Sequence, residues 1–254
     1  MTDCGANCGT VQDIVGRVAG ILNDDSAIGE RTWPVGELVG HLNEGLCELL
    51  KLRPDAFIQS VTLPLSQGSR QKLPPGYASL VRVNTNLDTS ASGALTEGAA
   101  VTEADGRYLS ALKKKPCLSS TGHCAEPKPY AVSSYTRDGV NANTFTVSPP
   151  VPAGAGVSVD ADVVVRPPRH TTVSVGECIG VPCEYEAALV NWMLHRAYAK
   201  ETESQYANSQ VDRYLKAWYE NINAGYLQDS RQNSGFWAGQ DLNRPSADPN
   251  FRQH

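Results

Sequence analysis

What the chain lacks narrows its class before any motif is considered. None of its 254 residues belong to an apolar run that approaches the roughly 20 residues needed to span a bilayer. The opening MTDCGANCGT has no basic segment followed by an apolar core, so a soluble protein made in a cytoplasm is expected, with no membrane partner. Cations are not in excess: 22 Lys and Arg against 27 Asp and Glu leave a net charge of −5. That balance argues against a protein whose main task is gripping nucleic acid, because phosphate binding needs a local surplus of Lys and Arg. A surface that DNA must slide past can still be acidic.

Compact catalytic signatures are missing too. There is no Gly-x-Ser-x-Gly, no His-Glu-x-x-His and no Gly-x-x-x-x-Gly-Lys-Ser/Thr, and the glycine-bearing stretch at 91–98 lacks the lysine of a phosphate cradle. His41 and His195 fall on helices near apolar faces, where a histidine ordinarily serves as a hydrogen-bonded packing residue. His170, after Pro167-Pro168-Arg169, reads as exposed. The triplet Lys113-Lys114-Lys115 reads as a solvated surface. A non-enzyme is expected, with no catalytic residue, no cofactor and no metal ligand assigned.

Seven cysteines are odd in number and too sparse for a disulfide scaffold, so reduced thiols in loops are the default reading. A zinc site is the alternative to weigh. Cys4 and Cys8 precede the first helix, Cys178 and Cys183 precede the third, and both separations are of the kind zinc ligands use. Neither pair sits in a recognisable knuckle, and Cys117 and Cys124 with His123 make a weaker set.

What is present is a helical frame around a turn-rich middle. Thr10 with Asp13 makes a capping box ahead of Val11, Ile14, Val15, Val18, Ile21 and Leu22 at helical spacing, and Asn23-Asp24-Asp25-Ser26 ends that helix. A second helix starts near Pro34, carries Val35, Leu38, Val39, Leu42, Leu46, Leu49 and Leu50, and stops before Pro54. The two form an antiparallel hairpin. Its expected partner is a second helix pair over 182–227, joined by a short polar bend. One half of that pair buries Ala188, Leu189, Trp192, Met193 and Ala199. The other carries a stripe of Tyr206, Val211, Tyr214, Leu215, Trp218 and Ile222.

Of 22 glycines and 16 prolines, most fall between 54 and 182, which marks β structure with many turns. Val61, Leu63 and Leu65 alternate, SQGSR turns the chain, and Gln71 to Leu73 begins the return. Leu80, Arg82 and Asn84 alternate against Val81, Val83 and Thr85. Val157 to Val165 is the clearest strand, with Val157, Val159, Ala161, Val163 and Val165 on one face and Ser158, Asp160 and Asp162 on the other. Its expected hairpin neighbours are 130–135 and 144–148, which flank a turn at Asp138-Gly139. Asp105 to Lys114 reads as a short helix. The fold expected is α+β: a helical bundle of N- and C-terminal helices (10–54 and 177–227), an inserted antiparallel β domain (55–176) and an extended C-terminal tail (228–254). The tail has no periodicity, yet carries Phe236, Trp237 and Phe251, rings of the type that anchor interfaces.

The capped helix ending in Asn-Asp, then Arg31, Trp33 and ELVGHLNEGLCELLKLRPDAF, resembles the N-terminus of tailed-phage head–tail adaptor proteins. LPPGYASLVRV, YAVSSYTRDGVNANTFTVSPPVPAGAGVSVD and ALVNWMLHRAYAKETE resemble the same family in the same order. The resemblance implies a structural virion protein of the neck, between capsid and tail, assembled in the host cytoplasm. It implies a helical core with an inserted β domain, repeated in a cyclic homo-oligomer that is commonly a dodecamer. Such a ring docks on the portal protein, continues the DNA channel without binding DNA specifically, and carries a downstream tail protein (tail tube, nozzle or head-completion protein). In related adaptors the C-terminal segment reaches along the portal, which points to Phe236, Trp237, Arg244, Phe251 and Arg252 as portal-binding residues. The cysteines and the 88–127 insertion depart from the family pattern. A monomeric β-sandwich binding or adhesion module is the alternative reading.

Overall fold

In the computed structural model, the residues described are 9–23, 32–89, 95–104, 130–154, 156–171, 177–200 and 205–232. Within them the fold is α+β, with four α-helices and two β-sheets. The chain divides into two compact units, 1–47 with 169–254, and 48–168.

The helices are α1 (Val11–Ile21), α2 (Val35–Leu52), α3 (Glu186–Tyr198) and α4 (Gln205–Gln232). Thr10 and Asp13 close the capping box at α1: the Asp13 N–H donates to Thr10 Oγ1 and the Thr10 N–H to Asp13 Oδ2. These hydrogen bonds hold the Asp13 carboxyl below the usual carboxylate range, the backbone bond at Thr10 contributing most. Pro34 stands just before α2, and its carbonyl accepts from the Leu38 N–H, as suits a residue without a donor of its own. The helical unit's core is built on α3, of which Ala188, Leu189, Met193, Leu194 and Ala197 are fully buried. Along α3 runs α4, and α1 touches it as well.

Two details of the helical expectation change. Tyr206 is 65 % exposed, while Ala207, Gln210, Trp218 and Ile222 are buried. The stripe begins at Ala207, one position and about 100° of helix rotation beyond Tyr206. In addition, α4 continues to Gln232 rather than ending at Leu227, because neither Gly nor Pro interrupts 228–232 and polar residues are tolerated on a helix surface.

The β unit contains β1 (Ile58–Pro64), β2 (Gly68–Lys72), β3 (Tyr77–Thr89), β4 (Leu95–Ala100), β5 (Thr102–Glu103), β6 (Ser134–Arg137), β7 (Thr144–Val151) and β8 (Ser158–Val165). They form sheets of order β1-β8-β3-β4 and β2-β7-β6-β5. One apolar core lies between the sheets: Leu63, Leu80, Val83, Val159, Ala161 and Val163 from the first meet Tyr135, Phe145, Val147 and Val151 from the second. β8 alternates as expected, but its neighbours are β1 and β3. The segments expected beside it, β6 and β7, belong to the opposite sheet. The same error affects β1 and β2, which read as a hairpin but pair with β8 and β7. Both links cross between sheets with the help of left-handed glycines, Gly68 (φ 98°) after β1 and Gly154 (φ 71°) and Gly156 (φ 57°) before β8. Glycine adopts that conformation without steric cost.

In β3 the strict alternation fails as well. Register shifts at Leu80/Arg82 and Val83/Thr85 move Leu80 into the core beside Val83 and leave Arg82 and Asn84 on the other face, which is the re-aiming a β-bulge performs.

Candidate functional site

The most enzyme-like geometry in the helical unit surrounds His170. Asn43 on α2 clasps its backbone from both sides: Asn43 Nδ2 donates to the His170 carbonyl at 2.7 Å, and the His170 N–H to Asn43 Oδ1 at 2.9 Å. Glu177 Oε1 lies 2.6 Å from His170 Nδ1. A carboxylate on one ring nitrogen is how an enzyme orients a general base. Here the His170 side chain has no exposure, and Nε2 has no hydrogen-bond partner. A base that substrate cannot reach does no chemistry. The expected exposure of His170 is therefore overturned: Asn43 fixes its backbone and Glu177 gives one ring nitrogen a polar partner, which lets the imidazole be enclosed.

Other titratable groups have intramolecular partners. His195 Nδ1 lies 3.1 Å from the Val211 carbonyl, linking α3 to α4. Along α2 and α3, Arg196 bonds Glu44 at 2.9 Å and Lys200 bonds Glu37 at 2.8 Å. His41 sits between those two carboxylates, its ring nitrogens 3.9 Å from Glu37 and 3.6 Å from Glu44. Desolvation lowers its pKa from 6.5, partly opposed by Glu44. On the β unit, the Asp160 and Asp162 carboxylates are already satisfied by protein donors. Ser60 and Asn84 bond Asp160, and Arg82 bonds Asp162 at 2.7 Å. The Tyr135 phenol is pushed up to about 12, mainly by burial and then by Glu103, so it stays neutral.

Cys178 is disulfide-bonded, which corrects the expectation of a reduced thiol at that position and removes it as a zinc thiolate. Its backbone is not loose: it forms an antiparallel bridge with Thr10, and the Val11 N–H donates to the Glu177 carbonyl at 2.9 Å. Cys4, Cys8, Cys117, His123 and Cys124 lie outside the described residues, as do Lys113, Lys114, Lys115 and the whole of the helix expected from Asp105 to Lys114. Among the described residues, no three His, Cys, Asp or Glu side chains converge on a metal position, and no helix is long and apolar enough to cross a membrane.

What the described surface offers is contact chemistry. Where α3 hands over to α4, Tyr198 stacks on Tyr214 with centroids 5.7 Å apart and rings 6° from parallel. Tyr206 meets Tyr198 edge-on at 6.4 Å, and the Arg213 guanidinium lies 5.7 Å from the Tyr214 centroid. Tyrosine and arginine are the residue types that dominate protein interfaces, so this cluster is the candidate contact surface of the helical unit. Sequence reasoning placed Tyr206 in the core stripe and missed its exposure. The signal was there in Tyr206, one position out of phase with Trp218 and Ile222. The proposed portal-binding residues Phe236, Trp237, Arg244, Phe251 and Arg252 lie outside the described residues. On the β unit, Arg70, Gln71, Lys72, Asn141, Asn143 and Thr144 line an open cleft of about 590 Å³.

No curated protein matches the chain. One family model does, described as SU10 adaptor protein, over residues 9–240.

Proposed function

The chain belongs to the SU10 adaptor protein family of bacteriophage structural adaptors, and from that premise we propose that it is a head-to-tail adaptor of the virion neck. Its copies close into a ring, a dodecamer in the pattern of related adaptors, that docks on the portal protein, continues the DNA channel and carries the next tail component. The observation that carries this reading is the extent of the match, which takes in both compact units. A closed ring needs two different patches on each subunit, and the Tyr198, Tyr206, Tyr214 and Arg213 cluster supports one of them. A net charge of −5 suits a lumen through which DNA passes without being held. The second contact in this reading is the C-terminal segment, with Phe236, Trp237 and Phe251 seated on the portal and Arg244 and Arg252 at its rim.

The test is co-sedimentation of the purified chain with assembled portal rings, followed by negative-stain imaging of the pellet. The full chain is expected to add a ring of density at one end of the portal. A chain truncated after Gln232, the end of α4, should keep its far-UV circular dichroism and lose the portal. Unchanged binding by the truncated chain would sink the C-terminal contact. A full-length chain that stays monomeric and apart from the portal would sink the adaptor reading and favour a free-standing binding module.

A further inference from the structure

We infer that β2 is a docking edge for an extended acidic segment of another protein, which adds to the sheet β2-β7-β6-β5 and lays carboxylates against Arg70 and Lys72. β2 is the outermost strand of that sheet, and among the described residues no strand pairs with its other side. The phase of the ladder identifies the groups offered there. The Leu73 N–H donates to the Asn143 carbonyl at 2.9 Å, and the pairing continues as Lys72 opposite Thr144 and Gln71 opposite Phe145. In an antiparallel ladder alternate residues bond to the partner strand, and those between them turn N–H and C=O away from it. Leu73 and Gln71 therefore bond inward, and Arg70 and Lys72 direct their main-chain groups to the open edge.

The side chains agree with the main chain. Gln71 is 3 % exposed and closes the preceding turn, accepting from the Ser66 N–H and donating to the Ser66 and Gly68 carbonyls. With Gln71 directed inward, the pleat turns Arg70 and Lys72 to the opposite face. There the two cations line the open cleft with Asn141 and Asn143. Asp138, the carboxylate beside Arg70, spends its hydrogen bonds on its own loop. It accepts from the Val140 N–H at 2.9 Å and from Thr144 Oγ1 at 3.0 Å, bonds that hold its pKa low, the backbone bond first. Arg70 stands 3.7 Å from it in an ion pair that makes no hydrogen bond, and with Arg70 72 % exposed such a pair is weak and leaves the guanidinium open to a second carboxylate. So a molecule of net negative charge presents a local cationic rim on the one edge whose outward main-chain groups belong to the same two residues.

Edge cations commonly keep sheets from pairing with one another. That effect repels basic and neutral strands but attracts acidic ones, so it selects the occupant rather than forbidding one. Two cations are too few to hold a phosphate backbone against salt, whereas the outward N–H and C=O pairs match a strand. The inference does not depend on portal docking, and the titration below tests it alone.

The probe is a fluorescent eight-residue peptide alternating Glu with Val or Thr, titrated into the full-length chain at low salt and read by anisotropy. Saturable binding is expected. A peptide with Gln for Glu, a peptide N-methylated at alternate amides, and an Arg70→Glu/Lys72→Glu chain should each weaken it by about tenfold or more. Far-UV circular dichroism checks the double variant. The milder Arg70→Gln/Lys72→Gln chain carries the same expectation should the charge reversal unfold. Absence of saturable binding, undiminished binding by either variant, or equal binding of the N-methylated peptide would overturn the proposal. Competition by millimolar inorganic phosphate as strong as that of unlabelled peptide would also overturn it, in favour of a simple anion site.

Discussion

The contact between α2 and α3 makes a prediction of opposite sign for two glycines on one helix. Gly45 is buried, and a Cβ built there would stand 2.8 Å from Trp192 Cδ1, 3.2 Å from its Cγ and 3.3 Å from Leu189 Cδ2. Non-bonded carbons rest about 3.5–4.0 Å apart, so Gly45→Ala must push α3 away or turn the indole. The indole is hemmed in, with Trp218 at 5.2 Å and His195 at 5.7 Å. Overpacking of this kind costs about 1–3 kcal/mol, against roughly 1 kcal/mol that alanine gains over glycine inside a helix. Any displacement of Trp192 also weakens its aromatic contacts, worth about 0.5–1.5 kcal/mol. The net expected loss is about 1–2 kcal/mol. Gly40, on the same helix, has nothing within 4 Å of the added carbon, so Gly40→Ala should stabilise by about 0.5–1 kcal/mol. Trp33, Trp192 and Trp218 belong to the helical unit and no tryptophan lies in 48–168, so indole fluorescence in a urea titration reports that unit separately from the β unit. A Gly45→Ala midpoint equal to or above that of Gly40→Ala would refute the close-approach reasoning.

Further predictions concern groups whose partners are distant in sequence. Asn86 is 3 % exposed and bonds the Val132 N–H, the Val132 carbonyl and the Ala99 carbonyl at 2.7–2.9 Å. Asn86→Ala strands those buried groups and should cost about 2–4 kcal/mol, read as faster hydrogen exchange at the Val132 amide. Trp33→Phe removes the donor to the Ala197 carbonyl at 3.2 Å and should cost the helical unit about 1 kcal/mol. His41 has its folded pKa depressed below 6.5, chiefly by desolvation. The unfolded chain therefore binds the proton more readily, and the stability involved is full above pH 6.5 and lost as pH falls through the folded value. The indole-monitored midpoint should fall more steeply between pH 7.5 and about 5.5 for the parent than for His41→Gln; parallel curves would exclude the His41 contribution.

How much of this was legible depended on whether the deciding contact was local. The capping box of Thr10 and Asp13, the end of α2 before Pro54 and the alternation in β8 rest on neighbours within a turn or a pleat, and the structure has each of them. Strand partners were less readable. A Gly-rich link such as 66–68 or 152–157 looks the same whether it folds the chain back within a sheet or carries it across a core, and both crossed. Bulges in β3 erased the period on which the face assignment of Leu80 relied. His170 looked exposed because its enclosure depends on Asn43, 127 residues earlier. The tyrosine cluster was hidden for a related reason: aromatic residues at helical spacing look identical whether a stripe is buried at home or left outside. The acidic-strand edge needed the ladder phase, which no periodicity contains.

The Asn43 clasp on His170 has an evolutionary consequence. Asn43 lies just before the chain leaves the helical unit and His170 just after it returns, so their two hydrogen bonds fasten the mouth of a long detour. Once a loop is fastened at its mouth, the entropy of closing it grows only logarithmically, about 0.6 kcal/mol per doubling of length. Lengthening, shortening or exchanging 48–168 therefore adds little closure cost for the helical unit. The clasp makes the β unit a replaceable cassette, open to exchange while the contacts among the helices stay as they are.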